Sequence, residues 1–317
     1  MLKILVIGGP TGSGKSRLAL HLALHHQNAM IINADSMQLY DGLKKLSAHP
    51  SKEDQKIVPH YLYGCLKASS PPASIASWLN QIKPLLETCQ AKNIRPIIVG
   101  GTGMYLHSLM FGLSEIPKIS DAVKLKIKTL HATKGLSYIY KQLQKNDPDY
   151  AAKISAQDTQ RILRAYEVFV ETKQPFSNFH SENKKLSDTY HFHPLILNPS
   201  REDLYEACNK RLENLLSDDL KKEILKCDQT YPKDHIIRKT LGFTQLLSYY
   251  KGENTLEDAL SLTQQTTRNY IKRQLTWFKN RMLTIEPSEF VASPIEVTDP
   301  HSPIMIENIK TSLRNAY

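Results

Sequence analysis

LKILVIGGPTGSGKSRLAL, residues Leu2 to Leu20, is the stretch from which the rest of the chain is read. The apolar run Ile4-Leu5-Val6-Ile7 has the length and content of a buried strand. After the glycines, Leu18, Leu22 and Ala23 recur at helical spacing, so the order is strand, loop, helix. The loop Gly9-Pro10-Thr11-Gly12-Ser13-Gly14-Lys15-Ser16 satisfies G-x-x-x-x-G-K-[ST] at every fixed position. Gly9, Gly12 and Gly14 let backbone amides turn inward around an anion, and the start of the helix adds the positive end of its dipole. Lys15 supplies a mobile full charge, and the Ser16 hydroxyl supplies a ligand for Mg²⁺.

Totals narrow the class. The chain has 317 residues, enough for one large domain or a core with an insertion, and its formal net charge of +10 suggests a polyanionic partner. Charge alone does not separate RNA, DNA and an acidic membrane surface. Cys65, Cys89, Cys208 and Cys227 are scattered without a C-x-x-C pair, which points to reduced thiols in a cytoplasmic protein rather than zinc or disulfides. No apolar run reaches membrane-spanning length and none resembles an export signal, so no membrane association is expected.

A second buried strand, Ala29 to Asn33, ends at Asp35-Ser36-Met37-Gln38-Leu39-Tyr40. Ligands of open α/β sheets bind beyond the carboxyl ends of strands, so Asp35 would sit beside the phosphate loop and is the first choice for chemistry. A turn or N-cap aspartate would read the same way. Residues 41–63 read as an irregular lid with one short helix. Ile75, Trp78, Leu79 and Ile82 follow as an apolar helical stripe, with Trp78 in the core and Pro84 kinking the helix or starting a new segment. A third strand, Arg95 to Val99, runs into Gly100-Gly101-Thr102-Gly103. Here backbone and hydroxyl can approach a ligand, although such a turn also serves tight packing.

From Pro117 to about Asp188 the chain turns lysine-rich and helical, including Lys124, with no strand candidate; the polar run Ser181 to Ser187 rejoins it to the core. Within it, Gln160-Arg161-Ile162-Leu163-Arg164 places Ile162 on a buried face and the two arginines one turn apart on another. Strand character returns at Phe192 to Leu197. His191 and His193 alternate along it, without a third ligand at useful spacing. In the long helix that follows, Leu204, Leu212, Leu215 and Leu216 are core candidates, and Arg211 fits a phosphate ligand as well as a surface ion pair. Near the end, Gly242 reads as a turn before a helix. Then Ile271, Leu275, Phe278 and Met282 form an apolar stripe, while Arg268, Lys272 and Lys279 share a face free of acids. That face suits a nucleic-acid backbone or plain solvent.

Six separated segments together resemble the bacterial tRNA dimethylallyltransferases, the tRNA isopentenylpyrophosphate transferases. They are Gly9 to Ser16, Ala34 to Tyr40 (ADSMQLY), Gly100 to Leu106 (GGTGMYL), Asp158 to Arg164 (DTQRILR), Lys239 to Phe243 (KTLGF) and Thr267 to Phe278 (TRNYIKRQLTWF). The resemblance implies transfer of a dimethylallyl group from dimethylallyl diphosphate to the exocyclic N6 amine of the adenosine 3′-adjacent to the anticodon in tRNA, releasing diphosphate. It implies Asp35 as base with Thr102 assisting. Gly9 to Ser16 and Arg211 would hold the diphosphate with Mg²⁺ on Ser16. Ser36, Met37 and Gln38 would lie near the flipped base. Lys124, Gln160 to Arg164, Arg268, Lys272 and Arg273 would touch the tRNA anticodon stem-loop.

The chain departs from the family pattern at Gly12, where alanine is usual, and at Asp41, where arginine is common. Ser47-Ala48-His49-Pro50 stands in place of Gly-Thr-Ala-Lys-Pro, and Leu212-Glu213 follows Arg211. The expected fold is α/β. A P-loop NTPase-like parallel-sheet core (1–116 and 189–317) is interrupted by an all-helical subdomain (117–188) that grips tRNA, in a cytoplasmic monomer. The alternative function is an ATP-binding, P-loop ATP-dependent nucleotide or metabolite kinase, which leaves the basic helix and lysine-rich arm without a task. A non-catalytic RNA-binding regulator using the loop as a nucleotide switch is a further alternative.

Overall fold

The computed structural model describes residues 1–25, 28–114, 116–180, 183–184, 186 and 188–316. The chain divides into two compact units, Met1–Met110 with Leu186–Tyr317, and Phe111–Lys185.

In chain order the first unit begins with β1 (Leu2–Gly8), α1 (Lys15–Leu24), β2 (Ala29–Asn33), α2 (Lys52–Ile57), β3 (His60–Tyr61), α3 (Ile75–Lys92), β4 (Arg95–Gly100) and α4 (Gly103–Phe111). The intervening stretch carries β5 (Leu113–Ser114), α5 (Asp121–Lys134), α6 (Leu136–Asn146), α7 (Pro148–Ala151), α8 (Thr159–Thr172) and β6 (Asn183–Lys184). The first unit then resumes with β7 (Tyr190–Leu197), α9 (Arg201–Leu215), α10 (Asp218–Thr230), α11 (Phe243–Tyr250), α12 (Leu256–Arg281), β8 (Ile295–Val297) and α13 (Pro303–Ala316).

The sheet of the first unit runs β3-β2-β4-β1-β7-β8, with every neighbouring pair parallel. Ile4, Val6, Ile7, Ile32 and Ile98 are all fully buried, as parallel strands covered on both faces require. One face packs on Leu18, Leu22 and Ile309. This is the P-loop NTPase-like α/β core that the first twenty residues announce. Register decides where function can lie: Gly8 stands opposite Gly100, and Asn33 opposite Val99. The carboxyl ends of β1, β2 and β4 therefore finish side by side, and the loops leaving them share one edge.

Two local expectations change. Residues 41–63 contain the short helix α2 but also β3, which pairs with Ile31 and Ile32 at the sheet edge. Pro84 does not start a new segment, because α3 runs from Ile75 to Lys92 with Pro84 inside it. Pro84 and Asn80, whose carbonyl loses its proline partner, are both exposed, so water can replace the missing bond. Trp78 is buried, donates Nε1–H to Asn33 O at 2.9 Å and stacks on Tyr105, a core residue as its stripe indicates.

Gly100 shows how tightly the strand ends meet. A Cβ there would lie 2.1 Å from the backbone oxygen of Ala34, which has no side-chain freedom to yield. Gly100→Ala is therefore expected to destabilise the core by about 1–3 kcal/mol, read from denaturant unfolding; a variant as stable as the parent would show that β2 and β4 part freely.

The second unit packs α5, α6 and α8 around Ile127, Ile139, Leu143, Ile162, Ala165 and Val168. Asp147 is 1% exposed and satisfied, accepting from the Tyr150 N–H at 3.2 Å and the Ser177 N–H at 2.9 Å. Ser120 ties α5 to α8 by donating N–H and Oγ–H to Glu171. The unit begins at Phe111 rather than Pro117 and ends at Lys185 rather than Asp188. β5 and β6 pair as a short antiparallel ladder, and β6 falls within the 117–188 stretch expected to hold no strand. Of the polar run Ser181 to Ser187, Ser181, Glu182, Lys185 and Ser187 lie outside the described residues.

Candidate active site

The phosphate loop is built by backbone conformation. Gly12 (φ 79°) and Gly14 (φ 82°) are left-handed, which turns the chain around the space in front of α1. Gly14 caps α1 and no side chain bonds its first-turn amides, the arrangement that receives an anion. Lys15 folds back over the loop, donating to Pro10 O at 2.5 Å, with Ser13 Oγ at 3.5 Å. Burial lowers its pKa to about 8, opposed by the negative charge of Asp35 and by Cys208, while Arg211 adds to the lowering. Ser16 is exposed at the start of α1.

Asp35 leaves β2 in a loop fixed by its own neighbours. Asn33, fully buried, accepts from the Asp35 N–H at 2.8 Å and donates to Asp35 O and Leu62 O, both at 2.9 Å. Asp35 Oδ1 accepts from the Met37 N–H at 2.9 Å, the local turn that the sequence allowed as the plainer role. Oδ2 faces the neighbouring strand end: a Cβ on Gly101 would lie 3.5 Å from it. Thr102 joins this loop through its hydroxyl, which accepts from the Ser36 N–H at 2.9 Å and donates to Ser36 Oγ at 3.3 Å. Tyr63 and Tyr270 have their phenol pKa values raised, by burial first and by Asp35 second. Both phenols stay protonated at neutral pH.

One cavity is lined by the loop from Thr11 to Arg17 together with Asp35, Gln38, Ser47, Ala48, Gly100, Gly101, Arg211 and Gln274. Gln38 and Arg211 both reach its divergent wall. Gln38 Nε2 donates to Ser47 O at 2.8 Å and Ala48 O at 2.7 Å, and Arg211 donates to Leu46 O at 2.8 Å. Burial lowers the Arg211 pKa, and the nearby Cys208 and Asp35 oppose the lowering.

Gln274 is the residue that sequence reasoning passed over. It is 6% exposed, accepts from the Thr11 N–H at 2.9 Å and donates to Gly101 O at 2.9 Å, bridging the phosphate loop to the β4–α4 turn. The available signal was its position three after Ile271 and four before Phe278, on the buried face of α12, where an amide needs partners. Trp277 seats the same helix: a Cβ on Gly103 would fall 2.1 Å from its ring.

The remaining candidates divide. Lys272, Arg273 and Lys279 are exposed on α12, Arg273 with its guanidinium 5.6 Å from the Tyr270 ring. Arg268, expected on that open face, is instead half-buried with its guanidinium 5.8 Å from the Tyr205 ring. In the second unit Lys124 pairs with Asp121 at 2.8 Å, Arg161 with Asp158 at 3.4 Å and Arg164 with Glu167 at 3.7 Å. Gln160 is exposed, and Leu163 is partly buried against the helical core. Ile162 is wholly buried, so its side chain serves that core and is not presented to RNA. His191 Nδ1 and His193 Nε2 lie 2.9 Å apart, and among the described residues no three potential metal ligands gather.

Comparison with known proteins agrees with this geometry. The sequence pattern of the IPP transferase family matches residues 38–281. Over 282 residues the chain is 41% identical to a tRNA dimethylallyltransferase of Bartonella quintana (strain Toulouse), covering 88% of this chain and 94% of that one. A second tRNA dimethylallyltransferase, from Allorhizobium ampelinum, is 38% identical, with coverages of 88% and 91%. Among solved structures, the full-length tRNA isopentenylpyrophosphate transferase of Bacillus halodurans gives a TM-score of 0.67 at 26% identity, covering 99% of this chain and 96% of that chain. A eukaryotic dimethylallyltransferase seen acting on tRNA gives 0.81 at 25%, covering 99% and 80%. A likeness that runs almost the whole length of the chain, and includes the strand ends that bring Lys15 and Asp35 to one cavity, places this chain in the IPP transferase family of tRNA dimethylallyltransferases.

Proposed function

We propose that the chain transfers a dimethylallyl group from dimethylallyl diphosphate to N6 of the adenosine 3′-adjacent to the anticodon of tRNA. The observation that carries this reading is the single cavity in which the cationic loop around Lys15 faces the Asp35 carboxylate. A phosphate loop ordinarily stabilises charge while a P–O bond breaks. Here the allylic C–O bond breaks, its electron pair leaves with the diphosphate, and the loop amides, Lys15 and Arg211 stabilise that charge. The N6 amine forms the new C–N bond and its proton passes to Asp35, with Thr102 holding Ser36 in the same loop. Since N6 lies in a stacked loop, the base must first be turned out.

The exposed Ser16 hydroxyl beside an anion cradle is a hard oxygen donor and fits Mg²⁺. Bound there, the ion would neutralise charge on the departing diphosphate. The exposed basic edge of α12 and the cations of the second unit are the proposed tRNA contacts. Among the described residues no helix is long and apolar enough to cross a membrane; a cytoplasmic monomer is the proposed working form.

The test is to incubate the purified protein with unmodified tRNA, Mg²⁺ and dimethylallyl diphosphate, digest the RNA and weigh the nucleosides. The expected gain is one prenyl group on adenosine; no gain beside an active control enzyme overturns the reading, and ATP consumption with phosphate on a small molecule would favour a kinase. Lys272→Ala is expected to weaken tRNA binding and to reduce the slope of log affinity against log salt by about one, measured by filter binding across a salt series.

A further inference from the structure

Gln274 lines the cavity with both ends of its amide engaged, and the partners fix which end is which. The Thr11 N–H requires the oxygen, and Gly101 O requires the nitrogen. Thr11 belongs to the loop that would hold diphosphate. Gly101 lies between Gln274 and Asp35: a Cβ placed on it would be 2.7 Å from Gln274 Nε2 and 3.5 Å from Asp35 Oδ2. The next residue, Thr102, bonds Ser36 beside Asp35, and the Thr102 N–H donates to Ala34 O at 3.2 Å. One side chain thus ties the loop for the leaving group to the loop for the departing proton.

We infer that Gln274 is a positioning residue that keeps the diphosphate cradle and the Asp35 carboxylate in register during prenyl transfer. It touches neither reactant in this role. The inference deepens the proposed function and rests on it for its kinetic meaning. Its physical basis is the steep dependence of rate on alignment, where a displacement of about 1 Å costs up to a hundredfold. The amide is suited to the task because an apolar residue of the same length would leave the half-buried Thr11 N–H and the buried Gly101 carbonyl without these partners.

Two variants test it. Gln274→Met keeps the length and loses both bonds. Gln274→Glu keeps an acceptor for the Thr11 N–H but sets an acceptor against Gly101 O. Each is expected to lower kcat by about ten- to a hundredfold and to raise the Kd for inorganic pyrophosphate about fivefold, the equivalent of one lost hydrogen bond. Thermal unfolding records fold stability separately. A lowered Tm with kcat and pyrophosphate Kd at parent values, measured below the transition, would mean that Gln274 only satisfies buried groups, and overturns the inference. A parent protein that does not prenylate tRNA overturns the activity reading instead; pyrophosphate titration then decides this one, with parent-like Kd in both variants ending it.

Discussion

Asp35→Ala is expected to slow prenyl transfer by about two to four orders of magnitude, the range for removal of a general base, with tRNA affinity within about twofold of the parent. Alanine alone does not isolate basicity, because Asp35 Oδ1 also accepts from the Met37 N–H and shapes the loop. Asp35→Asn separates the two roles. Its amide oxygen still accepts that N–H, so the turn persists, while the acceptor for the N6 proton is gone. Asparagine is therefore expected to match alanine in single-turnover rate and to match the parent in thermal stability. An asparagine variant within tenfold of the parent rate would reduce Asp35 to a turn residue and move the proton elsewhere. The raised pKa values of Tyr63 and Tyr270 argue against either phenol as the substitute.

How far the sequence could be read follows from the distance between partners. The phosphate loop is contiguous, so its chemistry is visible in eight residues, and the register of β1, β2 and β4 converts strand-end residues such as Asp35 and Thr102 into neighbours. Gln274 was hidden because its partners stand 263 and 173 positions away. Only its place on an otherwise apolar stripe hinted at a buried amide. Arg211 reads equally as phosphate ligand or surface cation until the Leu46 carbonyl appears in front of it. The divergent residues Ser47 and Ala48 become intelligible the same way: they contribute backbone carbonyls, held by Gln38, so side-chain identity carries little of their contact. Periodicity could not find the edge of the helical unit, since β5 and β6 are two residues each and show no pattern. It also misplaced Arg268, because a helical face defines direction but not whether an aromatic ring such as Tyr205 waits there.

Lys15→Met should lower kcat/KM for the donor by about two to three orders of magnitude, comparable to removing one preorganised charge-stabilising donor, and should show a distinctive pH dependence in the parent. In the ligand-free loop Nζ is bonded to Pro10 O and Ser13 Oγ, and burial holds its pKa at about 8. Below that pH the cradle already carries the ammonium, so diphosphate binds without a change in protonation at this group. Above it the free loop is neutral, whereas an adjacent diphosphate favours the charged form and raises the pKa. Binding must then draw a proton from solvent, and affinity falls as pH rises past about 8, approaching tenfold per pH unit for one proton. Calorimetry with inorganic pyrophosphate at pH 9, in buffers of differing ionisation enthalpy, should register this uptake in the parent and lose it in Lys15→Met. Lys15→Arg would not restore the parent behaviour, because a guanidinium stays charged throughout this range and is too broad for the loop's short contacts. Proton uptake of equal size in the methionine variant would assign the titration to another group and remove Lys15 from the leaving-group site.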